Sequence, residues 1–238
     1  MHIIRIYIKQ KDLGDYWRYF KTVMKKYLSK KFCKRFVWML IGVCLISLGI
    51  AFLRLSGFGT DPFSCLNFGL SRHLPISFGT CQGIVGIIIF IPVLIIRPQS
   101  FGVGAVFNMI GSGYIVDLYL WLFGKINITV ETLESILLIR VLFLMMGILV
   151  VCLGAALYMQ SDLGVSPYDM IGQIVEDKTN GKIKFRWARM FLDIMCVLIG
   201  FVAGATVGIG TLFMACFTGT LISWFRTNVA KKVLGDEI

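Results

Sequence analysis

Leu48-Gly49-Ile50-Ala51, then Gly59-Thr60-Asp61-Pro62-Phe63, is answered later in the chain by Leu153-Gly154-Ala155-Ala156, then Gly164-Val165-Ser166-Pro167-Tyr168. The two copies lie a constant 105 residues apart, an offset that also pairs Gly42 with Gly147. Further on, Phe101-Gly102-Val103-Gly104-Ala105 matches Val207-Gly208-Ile209-Gly210-Thr211 at an offset of 106. Glycine and proline patterns recurring in the same order at nearly the same spacing mark an internal duplication. Gly59, Gly164, Gly104 and Gly210 are its structural glycines.

Around these motifs the chain is apolar. Of 238 residues, 57% are hydrophobic and 16% charged, more apolar surface than a soluble domain of that length can hide. Lipid is therefore its expected solvent. Segments long enough for a hydrocarbon core of about 30 Å run from Phe36 to Leu55, Phe78 to Ile96, Val103 to Phe123, Ile136 to Tyr158, Trp187 to Ala203 and Ile209 to Phe225. The expected fold is all-α, with six transmembrane helices. About 35 polar and basic residues precede the first span, which argues against a cleaved signal peptide.

With the N-terminus in the cytoplasm, 20 of the 24 Lys and Arg fall on the inner side and only Arg54, Arg72, Lys125 and Arg140 on the outer side. The positive-inside rule selects that orientation, with both termini cytoplasmic. Trp38, Trp187 and Trp224 then mark the inner interface and Trp121 the outer one. The formal charge of +11 is thus a topological signal and not a sign of nucleic-acid binding. In residues 1–35, Tyr16, Trp17, Phe20, Val23, Met24, Tyr27 and Leu28 recur at helical spacing among lysines. This reads either as a basic amphipathic helix on anionic lipid or as a solvated tail that enforces topology.

The expected organisation is a basic cytoplasmic arm (1–35), repeat one (36–124), repeat two (136–226) and a cytoplasmic tail (227–238). Three spans per repeat force the second copy to insert upside down. Inverted repeats of this kind recur in secondary transporters, whose sites lie near mid-depth where the repeats meet. Duplication is also a simple route to a closed bundle.

Each G-x-x-P block predicts a short helix, because proline at the first helical position behind Asp61 or Ser166 is a capping signature. Ser166 and Asp169 have capping-box spacing. Such N-termini present free N–H groups and partial positive charge to a polar or anionic ligand, or simply cap a loop helix. Asp61, Pro62, Ser166, Pro167 and Asp169, with the intramembrane polar residues Gln82 and Asn108, are the candidate substrate-binding residues. Gln160, Arg54 and Arg140 are further polar residues within or near spans.

Asp193, some two turns into an apolar helix, is a candidate ion-coupling carboxylate; the alternatives are pairing with an Arg or Lys such as Arg97 or Arg189, or a hydrogen bond to the backbone of a broken helix. Asp117 is a second candidate, with hydration or pairing to Arg54 as its alternative. Gly79-x-x-x-Gly83 and Gly200-x-x-x-Gly204-x-x-x-Gly208 read as close-packing stripes.

Seven scattered cysteines and two histidines, His2 and His73, form no metal or disulfide pattern, and no catalytic motif is recognisable. Neither an enzyme, a cofactor nor a metal is expected. The L-G-x-A, G-x-x-P and G-x-G-T pattern resembles the YczE/YyaS/YitT group of bacterial integral membrane proteins over roughly Phe36 to Trp224. That resemblance implies a bacterial cytoplasmic membrane and a multi-helix bundle, and brings no catalytic residues with it. Repeat one departs from symmetry, with Asp61 before the proline and Ser64 in the place of Asp169.

The expected function is a secondary transporter or permease for a small polar or anionic solute. The alternative is a non-transporting membrane scaffold or regulator. A homodimer is a further expectation.

Overall fold

The computed structural model describes residues 30–96, 102–133, 135–164 and 166–234. The basic arm expected over 1–35 lies outside the described residues as far as 29, as does Arg97. Eight principal helices follow: α1 (Lys30–Ser56), α2 (Pro62–Ser71), α3 (Phe78–Ile96), α4 (Val103–Lys125), α5 (Leu137–Gln160), α6 (Pro167–Lys178), α7 (Phe185–Val202) and α8 (Ile209–Leu234). No strand occurs among the described residues.

Five of these helices, α1, α3, α4, α5 and α8, are long and apolar enough to cross a membrane. The remaining expected span, 187–203, is the 18-residue helix α7, which carries Arg186, Arg189 and Asp193 in its first half. The last helix does not stop at Phe225. It passes through a π-helical turn, Arg226–Ala230, and continues to Leu234. Ala230 and Leu234, on one face, pack against Ala156 and Leu157, so part of the expected tail joins the bundle.

The centre is an antiparallel crossing of α1 and α5 made possible by four glycines. A Cβ on Gly42 would stand 2.8 Å from the Gly154 carbonyl oxygen, and one on Gly154 2.7 Å from that of Gly42. One on Gly49 would stand 2.9 Å from the carbonyl oxygen of Gly147, and one on Gly147 3.0 Å from that of Gly49. Backbone therefore meets backbone, the geometry small residues permit in apolar helices. Beside this crossing, Ile50, Leu53, Phe68, Phe78, Val116, Ile148, Val151, Cys152 and Met214 form one buried cluster.

The two long helices end alike. Ser56 Oγ donates to the Leu53 carbonyl at 2.7 Å and Ser161 Oγ to the Tyr158 carbonyl at 2.6 Å. Arg140, at the start of α5, donates from Nε to the Ser56 carbonyl at 2.8 Å, and Arg35, near the start of α1, lies 3.7 Å from Asp162 Oδ2. In each case a guanidinium from one helix meets the C-terminal end of the other, where the helix dipole favours positive charge.

Beyond each end, Gly59 (φ 96°) and Gly164 (φ 123°) occupy left-handed backbone that a side chain would strain. Their neighbours accept matching hydrogen bonds. The Gly104 N–H donates to the Leu163 carbonyl at 2.8 Å, and the Gly210 N–H donates to the Phe58 carbonyl at 2.9 Å. The G-x-G segments thus seat the first turns of α4 and α8 against the chain leaving α5 and α1.

The glycine stripes serve more than one purpose. Gly79 packs on Gly113 and Tyr114, and Gly200 on Cys65 and Leu66 of α2, whereas Gly83 faces nothing within 4 Å. Gly204 belongs to the turn that ends α7, its N–H donating to Phe201 at 2.9 Å while Ala205 N–H reaches Gly200 at 2.8 Å.

Candidate functional site

The helices α2 and α6 are short, 10 and 12 residues, or about 15 and 18 Å at the α-helical rise. Each begins at the proline of its G-x-x-P block. Asp61 caps α2 as its sequence implies, Oδ1 accepting the Ser64 N–H at 3.1 Å. Ser166 occupies the corresponding position of α6 but makes no side-chain capping bond. Asp169 is drawn instead into an ion pair with Arg189. An ion pair outcompetes a capping box here because Arg189 is half-buried and needs counter-charge.

The first turns of the two helices meet. Phe63 and Tyr168 stack with ring centroids 4.9 Å apart and planes inclined by 37°. The Arg189 guanidinium lies over the Tyr168 ring, 4.4 Å from its centroid. It pairs with Asp169 and donates from Nε to Asp193 Oδ1 at 3.2 Å. The Tyr168 hydroxyl donates to the same Asp193 oxygen at 2.7 Å and lies 3.4 Å from the Cys196 sulfur. Asp193 is 7% exposed, so its charge is held by these two donors and not by water. Of the alternatives open for it, the ion pair is with Arg189.

Asp61 lies within electrostatic reach of both Arg189 and Asp193. Its Oδ2 is buried and has no hydrogen-bond partner among the described residues. Around this polar knot, Leu66, Tyr168 and Cys196 form a buried cluster with Phe63, Leu70, Val85, Ile89 and Leu192. Asp193 and Tyr168 are therefore buried, and Asp61, Asp169 and Arg189 half-buried, at the meeting point of α2, α6 and α7.

The other candidates lie elsewhere. Gln82, buried on α3, donates from Nε2 to Ser112 Oγ at 2.7 Å, while its Oε1 has no partner among the described residues. Ser47 Oγ donates to the Ser112 carbonyl at 3.0 Å, joining α1 to this second polar node. Asn108 takes part through its carbonyl, which accepts from Ser112 Oγ within the π-helical turn Phe107–Gly111 of α4. Asp117 Oδ2 accepts the Gly79 N–H at 2.8 Å, so this carboxylate caps α3 from the neighbouring helix. Arg54, its expected partner, stands 4.8 Å over the Phe68 ring instead. Gln160 accepts from Arg226 Nε at 3.1 Å.

Two pairings in the structure go beyond what the motifs alone imply. Tyr168 was visible only as the aromatic after the repeated proline, although Phe63 at the same place in repeat one is a signal that the pair matters. Arg35 and Arg140 are themselves 105 residues apart, and applying the repeat offset to charged residues finds them. Among the described residues, no group of three or more His, Cys, Asp or Glu side chains could hold a metal ion.

The model of a family of unknown function, DUF6198, matches residues 33–227. The uncharacterised protein YyaS of Bacillus subtilis is 27% identical over 204 residues, covering 85% of this chain and 98% of its own. An uncharacterised protein of Haemophilus influenzae is 27% identical over 195 residues, covering 81% of this chain and 84% of its own. No solved structure matches. The chain belongs to the DUF6198 family and is similar to YyaS, in keeping with the YczE/YyaS-like resemblance of its motifs.

Proposed function

From that membership we propose that the protein is a six-span secondary transporter or permease for a small polar or anionic solute. In this reading α1–α4 and α5–α8 are inverted repeats in a bacterial cytoplasmic membrane, with both termini inside and no enzymatic activity. The matched contacts support it. Exchanging the halves turns the Gly42–Gly154 contact into Gly147–Gly49, and the Gly104–Leu163 hydrogen bond into Gly210–Phe58. An axis relating inverted halves lies in the membrane plane at mid-depth, so residues that meet their own counterparts lie there too. Phe63 and Tyr168 are such a pair.

The observation that carries the reading is this meeting of two half-length helices, N-terminus to N-terminus, around a buried ionic knot. Charged side chains enclosed at membrane depth are costly and mark solute or ion pathways. Free N–H groups at the two helix starts and the Arg189 guanidinium supply donors for a polar or anionic solute, with Ser166 unengaged as a cap. In this reading α7 is the sixth span, its Arg189 and Asp193 turned to α6 and its apolar residues Phe191, Ile194, Leu198 and Phe201 exposed to lipid.

The test is uptake into proteoliposomes of pooled labelled anions, amino acids and organic acids, with and without a proton gradient, by wild type and Arg189→Gln. Uptake by wild type that the variant loses supports transport. One observation favours a second reading: the α1–α5 crossing is dry and glycine-packed, as a non-transporting scaffold or regulator would have it. Absence of uptake from every pool, with no solute-induced thermal stabilisation, selects that reading.

A further inference from the structure

We propose that Asp61 is the proton-carrying group of this site, holding a proton on Oδ2 while Arg189 stays paired with Asp169 and Asp193. The inference rests on the reading that α2 and α6 meet inside the membrane. Among the described side chains, three carboxylates gather there against one guanidinium. The two helix N-termini add about half a positive charge each, so the sum is about two positive charges against three negative. One proton balances it.

Geometry selects the carboxylate that takes the proton. Asp169 is paired with Arg189, and Asp193 Oδ1 receives both Arg189 Nε and the Tyr168 hydroxyl. Both of these carboxylates therefore already have donors. Asp61 is held by Ser64 alone, whose N–H donates to Oδ1 and whose hydroxyl also acts on the carboxyl, and its Oδ2 is sealed from solvent without a partner among the described residues. An ionised oxygen in that position is neither solvated nor paired, whereas a protonated one carries no charge to solvate.

The groups acting on Asp61 are Arg189, Asp193 and Cys196 from α7 and Cys65 one turn along α2, while Tyr168 at the start of α6 packs on the neighbouring Phe63. The duplication does not repeat this arrangement: Ser166 stands where symmetry would put a second Asp61, and Asp169 where it would put Ser64. Only one half of the protein therefore carries an acidic cap.

The step is a simple protonation. An O–H bond forms at Oδ2 with a proton from water on the open side of the site, and the same bond breaks to release it. Once ionised, Asp61 competes with Asp169 and Asp193 for Arg189, so proton release and the position of the guanidinium are linked.

Infrared difference spectroscopy of the full-length chain in lipid nanodiscs tests this, followed through a pH titration in light and heavy water. Wild type is expected to show a carboxylic-acid C=O band near neutral pH that shifts in heavy water and disappears as pH rises. Asp61→Asn and Asp61→Ser, both of which retain an N-capping side chain, are expected to lose one carboxyl equivalent of it, and Asp193→Asn to retain it. Persistence of the band in a folded Asp61 variant, or no such band in wild type, overturns the proposal. The band requires no transported solute. A band without uptake keeps the proton on Asp61 and removes the transporter reading, while uptake without a band does the reverse.

Discussion

Phe63 and Tyr168 stand at the same place in two copies of one motif, 105 residues apart, and their rings stack 4.9 Å apart. The contact is between a residue and its own counterpart. Only one of the two carries a hydroxyl, and that hydroxyl reaches Asp193 Oδ1 at 2.7 Å. A symmetric packing contact thus supports an asymmetric polar site.

Tyr168→Phe isolates the polar half of that arrangement, because the ring stack survives and only the donor to Asp193 is lost. Leaving a buried carboxylate short of a donor is expected to destabilise the protein by about 1–3 kcal/mol. Thermal unfolding in lipid nanodiscs reads this as a lowered midpoint, and an unchanged midpoint would show that the hydroxyl does not hold Asp193.

Arg189→Gln is expected to be more damaging, since it strands Asp169 and Asp193 together. Removing the partner of the buried Asp193 carboxylate from this half-buried network is expected to cost less than the about 3–5 kcal/mol of a fully buried pair. Adding Asp169→Asn and Asp193→Asn should recover a large part of that loss, and the comparison of single and multiple variants isolates the network. Additive losses would mean that Arg189 acts through its packing on the Tyr168 ring.

Gly49→Val tests the α1–α5 crossing, where the new Cβ would stand 2.7 Å from the Val151 backbone nitrogen. Backbone cannot retreat as a flexible side chain can, so the variant is expected to lose monodisperse behaviour in size-exclusion chromatography. Gly83→Ala is the matched control, because nothing lies within 4 Å of its added methyl. It should elute and unfold as wild type does.

Arg140→Met removes the donor that meets the Ser56 carbonyl at 2.8 Å and withdraws the cation 4.6 Å above the Phe58 ring. The expected loss is about 1.5–3 kcal/mol, the range for a hydrogen bond from a charged donor. Limited proteolysis should register it as faster cleavage between α1 and α2.

Orientation is checked by single cysteines in a cysteine-free background. Cysteine at Arg72 or Lys125 should react with an impermeant maleimide in intact cells, and cysteine at Lys182 or Lys232 only after the membrane is opened. The reverse pattern would invert the proposed topology.

Much of this was legible along the chain. Hydropathy and length located the five apolar helices within a few residues, except that α8 runs on to Leu234. The Asp61-Pro62 pair announced both the start of α2 and its cap, since a proline at the first helical position and a short acidic acceptor before it act within one turn. Asp193 declared itself by its isolation in apolar sequence. Such features depend on neighbours a few residues away, which a sequence displays directly.

Other features depended on which helix faces which. Ser166 and Asp169 had the spacing of a capping box, but Arg189 from α7 claimed the carboxylate. Asp117 caps α3 across an interhelical contact, and Gly204, aligned in a stripe of small residues, ends a helix instead of packing one. Composition therefore determined that the chain forms apolar helices, and the repeated glycines and prolines determined where short helices start. Only the tertiary structure decided which donor meets which acceptor. That choice is set by helix rotation and by how closely glycine lets two backbones approach, quantities that no local pattern encodes.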